Sequence, residues 1–348
     1  MVKLREAIKI SERRTDYYKQ CLETLKSAKP DLVFCTNQRP LTAIAPILAA
    51  QDLGIPTVSF IFSWDNVPKA TMVIEPDHYF VWSEHMKNEL LSYYPYIAPD
   101  AISITGTPQF EPHFDQSVLV SREVFCNEHG LDPAKKYICY SGDDITTSPN
   151  DPQYLDDVAN AVRALNASGQ NLGIVFRRCP VDFSSRFDEV LQRHRDLIVP
   201  IAPAWKKLGS VWNTVLPTRE DLVLQANTIA HTEMVVNLGS SMVFDYVAFN
   251  KPCAFMNYDT PINQRIGWSV KKIYNYVHFR SMPDNDAVIW LNNPEEIATK
   301  ISSAVFGATQ NVIQAQRWFE KINAHPPYQA STRIVENIKK ILACTSAS

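Results

Sequence analysis

The sequence predicts an α/β protein built from two doubly wound, parallel-sheet domains with a helical C-terminus. Three observations lead there. Short apolar runs alternate with longer stretches of helical periodicity across residues 30–256, the pattern of parallel strands joined by crossover helices. A length of 348 residues exceeds one ordinary domain and suits two. Polar turns also recur just after the apolar runs in both halves, where open α/β sheets place their ligands.

The first domain is expected over residues 1–115. Leu4, Ile8, Tyr17, Cys21 and Leu25 recur at helical spacing, which predicts one long helix over residues 3–26, and Lys29-Pro30 ends it. Strands are expected at 31–35, 57–62, 78–82 and 102–104, with helices at 41–53 and 84–93 between them. The turn Ser63-Trp64-Asp65-Asn66 follows the second strand, and Gly106-Thr107-Pro108-Gln109 follows the fourth. The second domain is expected over residues 116–348. Its strands are read at 136–141, 172–176, 197–200, 234–236 and 253–256, with residues 212–216 ambiguous. Helices are read at 154–167, after Thr218, at 297–305, at 311–322 and at 331–343. Thr218 with Asp221 three residues on reads as a helix cap close to a capping box.

Composition narrows the classes. Hydrophobic residues make up 45% and charged residues 20%, the profile of a globular chain with a full core. A net charge of -3 gives no reason to expect nucleic acid or an anionic membrane as partner. The opening MVKLREAIKISERR is charged throughout, unlike a signal peptide, and the longest apolar stretch, near Pro46, is too short for a bilayer. The seven cysteines form no CxxC pair, so a reducing cytoplasm with no disulfide and no structural zinc is expected. No clustered histidine or carboxylate set reads as a metal site.

The stretch VVNLGSSMVFDYVAFNKPCAFMNY at 235–258 organises the second half. An apolar strand runs into Asn237-Leu238-Gly239-Ser240-Ser241. Val243, Phe244, Val247 and Ala248 then form one helical face, and Asn250-Lys251-Pro252 stops the helix before a second strand. A Gly-Ser-Ser turn feeding a helix start presents backbone N–H groups and suits a phosphate. An ordinary strand-to-helix connection with a serine cap reads equally well from these residues alone.

Order and spacing carry a resemblance. SWDNVPKATMVIEPDHYFVWSEHMKNEL followed by ITGTPQF, then FRRCP, then LPTREDL and TEMVVNLGSSMVFDYVAFNKPCAF, resemble GT-B nucleotide-sugar glycosyltransferases of the bacterial surface-polysaccharide type. The resemblance spans residues 30–260. It implies two Rossmann-like domains facing a cleft. It also implies transfer of a sugar from a nucleoside diphosphate donor to a glycan or lipid-linked acceptor, without metal or cofactor. The same architecture serves nucleotide-sugar epimerases, glycerol-phosphate transferases and non-catalytic nucleotide-binding or scaffolding relatives, which stay open.

Roles follow from the resemblance residue by residue. Gly239, Ser240 and Ser241 would hold the donor diphosphate, and Asp245 would accept from ribose or sugar hydroxyls. Arg177 would offer a fork to phosphate, with a structural salt bridge as the alternative. Ser141, Gly142 and Asp143 would border the diphosphate. Trp64, Asp65 and Asn66 would line the acceptor side, with an Asx-type turn as the competing reading. Asp65 is a candidate base, and His78 and His85 are candidates by residue type alone. Cys179 stands where the family has histidine, so that position carries no role. The opening units of such a first domain are expected to be absent here, with either self-association through that domain or an edge hidden beneath residues 1–28 as the consequence. The expected compartment is the cytoplasm, with attachment at the inner face of the membrane left open.

Overall fold

The computed structural model describes residues 2–69, 72–209, 214–261, 265–307 and 310–346, in two compact units. Unit 1 comprises Met1–Glu111 with Glu320–Ser348, and unit 2 is Pro112–Phe319. The division therefore falls at residue 111 rather than 115. The last residues also pack with the first domain, not the second as the sequence suggests.

Unit 1 holds four parallel strands, β1 (Val33–Cys35), β2 (Thr57–Phe60), β3 (His78–Val81) and β4 (Ile102–Ile104), in the order β1-β2-β3-β4. Helix Ile44–Asp52 buries Ile44, Ala45, Ile47, Leu48, Ala49 and Ala50. It is apolar nearly all round because it sits between β1 and β2 on one side and helix Asp16–Ala28 on the other. The single long helix expected at residues 3–26 is two, Val2–Glu12 and Asp16–Ala28. Thr15 breaks it: its backbone is extended and its hydroxyl accepts from the Tyr18 N–H at 3.1 Å, which starts a new helix. The first helix is held by polar contacts. Arg5 lies over the Tyr96 and Tyr94 rings, and Lys9 pairs with Glu75. Arg13 forks onto Asp52 at 2.7 and 2.8 Å.

Four bonds explain why the C-terminal residues return to unit 1. Asn323 Oδ1 accepts the Thr107 N–H at 3.0 Å, and the Ala324 N–H donates to the Trp82 carbonyl at 2.7 Å. Arg333 Nε donates to the Thr105 carbonyl at 2.7 Å, and the Glu111 carboxylate caps the N–H of Ser331 at 2.6 Å. These carbonyls and amides lie at the carboxyl ends of β3 and β4, where they have no ladder partner of their own.

Unit 2 holds six parallel strands: β5 (Lys136–Ser141), β6 (Leu172–Arg177), β7 (Ile198–Pro200), β10 (Val235–Asn237), β11 (Cys253–Met256) and β12 (Ile289–Leu291). A small antiparallel hairpin, β8 (Lys206–Lys207) with β9 (Val215–Leu216), stands apart from them. The ambiguous stretch 212–216 is thus a strand at its end, and Trp212 and Asn213 lie outside the described residues. The sheet order is β12-β11-β10-β5-β6-β7. In the unit's own chain order this is 6-5-4-1-2-3, the doubly wound arrangement of dinucleotide-binding sheets. Both faces are covered. Val175 packs with Phe125, Cys126, Tyr137 and Ile201, while the next residue, Phe176, meets Phe187 on the opposite face at 4.7 Å. Fully buried aromatics such as Tyr140, Tyr154, Phe244 and Phe255 each contribute roughly 1.5–3 kcal/mol by leaving water. Among the described residues no helix is long and apolar enough to cross a membrane.

Candidate functional site

The order of the second sheet fixes where a site belongs. From β5 the chain moves outward through β6 and β7, whereas β10 leads the other way through β11 and β12. The loops after β5 and β10 therefore diverge from neighbouring strand ends, and the crevice between them is the switch point of the sheet. Ser141, Gly142 and Asp143 form one lip, and Leu238, Gly239, Ser240 and Ser241 the other. The lips are joined, since the Leu238 N–H donates to Asp143 Oδ2 at 3.3 Å.

The β10 lip is a shaped turn. Gly239 has φ +72°, a left-handed conformation, and a Cβ there would meet the Phe279 ring at 3.1 Å and Tyr274 at 3.3 Å. Asn237 Oδ1 accepts the Ser240 N–H at 2.9 Å, so that donor is engaged rather than open as the sequence suggests. The turn leads into helix Met242–Val247, only six residues long, so individual N–H groups and hydroxyls outweigh any helix dipole. Ser240 and Ser241 are half-buried and stand at the crevice.

The β5 lip is a rigid acidic loop. Gly142 is buried under Phe176, Phe187 and Asp151, and a Cβ would meet them at 3.1 to 3.4 Å. The Asp143 N–H donates to Asp151 Oδ2 at 2.7 Å, and Asp151 Oδ1 accepts from the Tyr140 hydroxyl at 2.7 Å. Arg186 threads beneath the loop, donating to the Ser148 carbonyl at 2.6 Å and to Asp182 at 2.7 Å. Burial, and then the neighbouring Asp151, push the Asp143 carboxyl well above the usual carboxylate range. Burial likewise lifts Asp151 to about 6.

Arg177 ends β6 beside this crevice, but its fork is largely committed. Nη2 lies 2.8 and 2.7 Å from the two oxygens of Asp221, and both side chains are buried. Asp221 also accepts from the Ala204 N–H at 2.7 Å and the Trp205 indole at 2.6 Å. Arg177 Nη1 is buried with no hydrogen-bond partner. Thr218 caps helix Arg219–His231 by accepting the Asp221 N–H at 3.2 Å. Cys179, in the turn after Arg177, has its thiol pushed up to about 12 by burial, which leaves it inert as a nucleophile.

Asp245 sits one helical turn beyond Ser241 and is buried. Its Oδ1 lies 2.7 Å from His113 Nε2. His113, which the sequence reading passed over, also meets the Phe249 ring edge-on at 5.8 Å. Nothing in the local sequence points to this pairing.

In unit 1 the residues 63–66 follow β2 at the carboxyl edge of its sheet. The Ser63 hydroxyl and the Asn66 amide donate to Asp65 Oδ1 at 2.6 and 3.1 Å, and Lys69 pairs with Asp65 Oδ2 at 2.6 Å. Trp64 and Asn66 are buried, and Asn66 Oδ1 has no partner. The structure does not bring His78 to this edge. His78 opens β3, pairing with Val58, so it stands at the amino end of the sheet. His85 lies on helix Glu84–Tyr93, 3.5 Å from Glu89.

No protein-family model and no curated protein matches this chain. Solved structures do. A UDP-GlcNAc 2-epimerase from Neisseria meningitidis, bound to UDP-GlcNAc, shares 14% identity over 93% of this chain and 80% of its own, with a TM-score of 0.53. A glycosyltransferase from Rickettsia africae shares 15% identity over 93% and 81%, at 0.53. The wall teichoic acid polymerase TagF shares 13% over 90% and 72%, at 0.57. At such identities the likeness carries the fold, the pair of parallel-sheet α/β domains of GT-B nucleotide-sugar enzymes that the motifs imply. Epimerases and transferases both stand among these neighbours, so the fold does not select the reaction.

Proposed function

We propose that this chain is an enzyme acting on a nucleoside diphosphate sugar seated at the switch point of unit 2. We propose further that it transfers the sugar to a glycan or lipid-linked acceptor in surface polysaccharide synthesis. The supporting observations are the Ser141–Asp143 lip joined to the left-handed Gly239 turn with its two serines, and, at the end of the adjacent strand β6, the Arg177 guanidinium with one unpartnered nitrogen. A diphosphate supplies acceptors of the kind that a buried, unpaired guanidinium N–H needs.

In this reading an acceptor hydroxyl attacks the anomeric carbon. The bond from that carbon to the β-phosphate oxygen breaks, and the nucleoside diphosphate leaves with the electron pair. Arg177 and the turn stabilise the growing charge on the diphosphate, and no metal or cofactor is part of the reading. Trp64, Asp65 and Asn66 are assigned to the acceptor, and the hydroxyl proton passes to a base among the unit 1 residues, with Asp65 the candidate.

Epimerisation is the second reading, favoured by the neighbour bound to UDP-GlcNAc. Proton NMR of the chain with UDP-sugars, with and without glycan acceptors, separates the two. Release of nucleoside diphosphate that depends on acceptor supports transfer. Inversion at a sugar carbon without acceptor supports epimerisation and overturns the first reading. Absence of both reactions with every UDP-, GDP-, CDP- and dTDP-sugar removes the enzyme reading.

A further inference from the structure

We infer that His113 is a positioning residue for Asp245 and that the pair makes the donor site selective for a ribose carrying its hydroxyls. The inference rests on the donor-site reading above and goes beyond it, because it assigns a residue with no place in the motifs.

Asp245 lies four residues after Ser241, on the same face of helix Met242–Val247. Side chains on a helix lean toward its N-terminus, so the Asp245 carboxylate leans toward the Gly239–Ser241 turn. One turn of helix is about 5.4 Å, so Asp245 stands about one turn along from a phosphate held at the Gly239–Ser241 turn. Asp245 Oδ1 is taken by His113 Nε2 at 2.7 Å, while among the described residues none hydrogen-bonds Oδ2. The residue retains 7% of its surface, so it is sheltered but reachable. His113 is itself buried, and its ring rests against Phe249, so the imidazole is not free to swing away. One oxygen is thus anchored and the other presented. A carboxylate fixed in this way accepts a ribose hydroxyl without first losing rotamer freedom.

The test measures binding of UDP, 2′-deoxy-UDP and 3′-deoxy-UDP by calorimetry to the full chain and to four variants. In the wild type, UDP should bind roughly 10- to 100-fold tighter than at least one deoxy analogue, the span of a hydrogen bond to a charged group. Asp245→Asn should shrink that ratio several-fold. His113→Phe keeps a ring against Phe249 but removes the donor, and it should shrink the ratio as well. His113→Gln restores an amide N–H at similar reach and should recover it. His113→Leu serves the same comparison if the phenylalanine variant does not fold, as judged by its melting curve. A tie that is only structural would lower the melting temperature and leave the ratio unchanged, which overturns the inference. An Asp245→Asn variant that loses the ratio while both donor-less His113 variants keep it overturns the role of His113 but leaves the donor site standing. A wild type that binds UDP without preferring it to either analogue also overturns the inference. If UDP does not bind the wild type, the run is repeated with GDP and CDP, and failure of all three removes the donor-site reading itself.

Discussion

Replacing Asp221 with Asn gives the sharpest check on how Arg177 is held. The two side chains have almost the same shape, so the change removes a charge and little else. In the wild type the Asp221 oxygens stand 2.7 and 2.8 Å from one guanidinium nitrogen, with 1% and 6% of the two side chains exposed. Breaking a buried pair from one side typically costs about 3–5 kcal/mol, because the remaining charge stays buried without a counter-ion. An amide would also offer N–H groups toward the Ala204 N–H or the Trp205 indole, both of which now donate to Asp221. Unit 2 spans 112–319, a size at which each kcal/mol lowers the melting temperature by roughly 2–4 °C. Asp221→Asn should therefore melt some 6–20 °C lower, read by calorimetry with urea melts as a second measure. UDP should raise the midpoint of this variant more than that of the wild type, since its phosphates would stand in for the lost carboxylate. A loss below about 1 kcal/mol would refute the claim that Arg177 depends on this partner.

Three further outcomes are expected. Gly239→Ala forces a Cβ into a left-handed residue and against Phe279 at 3.1 Å, so urea unfolding should show a loss of about 2–4 kcal/mol; a change within 0.5 kcal/mol would contradict the turn geometry. Asp151 has its native carboxyl raised from 3.8 to about 6, so its stabilising share is full below pH 4 and is lost as pH rises through 6. Asp151→Asn should flatten the fall in melting temperature between pH 4 and 6.5; parallel curves would count against it. Arg333→Ala removes donors to the Thr105, Ala324 and Pro326 carbonyls. It should destabilise unit 1 by about 2–4 kcal/mol and expose the C-terminal residues to limited proteolysis; an unchanged digestion pattern would show that they are held otherwise.

How much of this was legible in the sequence depended on how local each signal was. The strands at 57–60, 78–81, 136–141 and 172–177 are short apolar runs bounded by turn residues, and periodicity finds them. Thr218 as a cap was legible for the same reason, since its partner is three residues away. The strand Ile289–Leu291 was missed although Val288-Ile289-Trp290-Leu291 before Asn-Asn-Pro carries the usual signal; its brevity hid it. The break at Thr15 was masked by the apolar spacing that continues across it, which outweighed a capping residue in the reading. The bond from Ser240 to Asn237 spans three residues and could have been foreseen as an Asx-type contact. The pairs Arg177–Asp221 and His113–Asp245 could not. They join residues 44 and 132 positions apart, and only the sheet order brings them together.

The central claim is that the switch point of unit 2 holds a nucleoside diphosphate. Calorimetric titration of the wild type and Ser240→Asp with UDP, GDP, CDP and dTDP tests it most directly. Added negative charge at Ser240 should repel a diphosphate, while a carboxylate at this half-buried position can still accept the Met242 N–H that the serine Oγ now accepts. The account predicts that at least one nucleotide binds the wild type and binds Ser240→Asp at least 10-fold more weakly, with melting temperatures within about 2 °C. Equal affinity in a folded Ser240→Asp variant, or no binding of any of the four to the wild type, would contradict it.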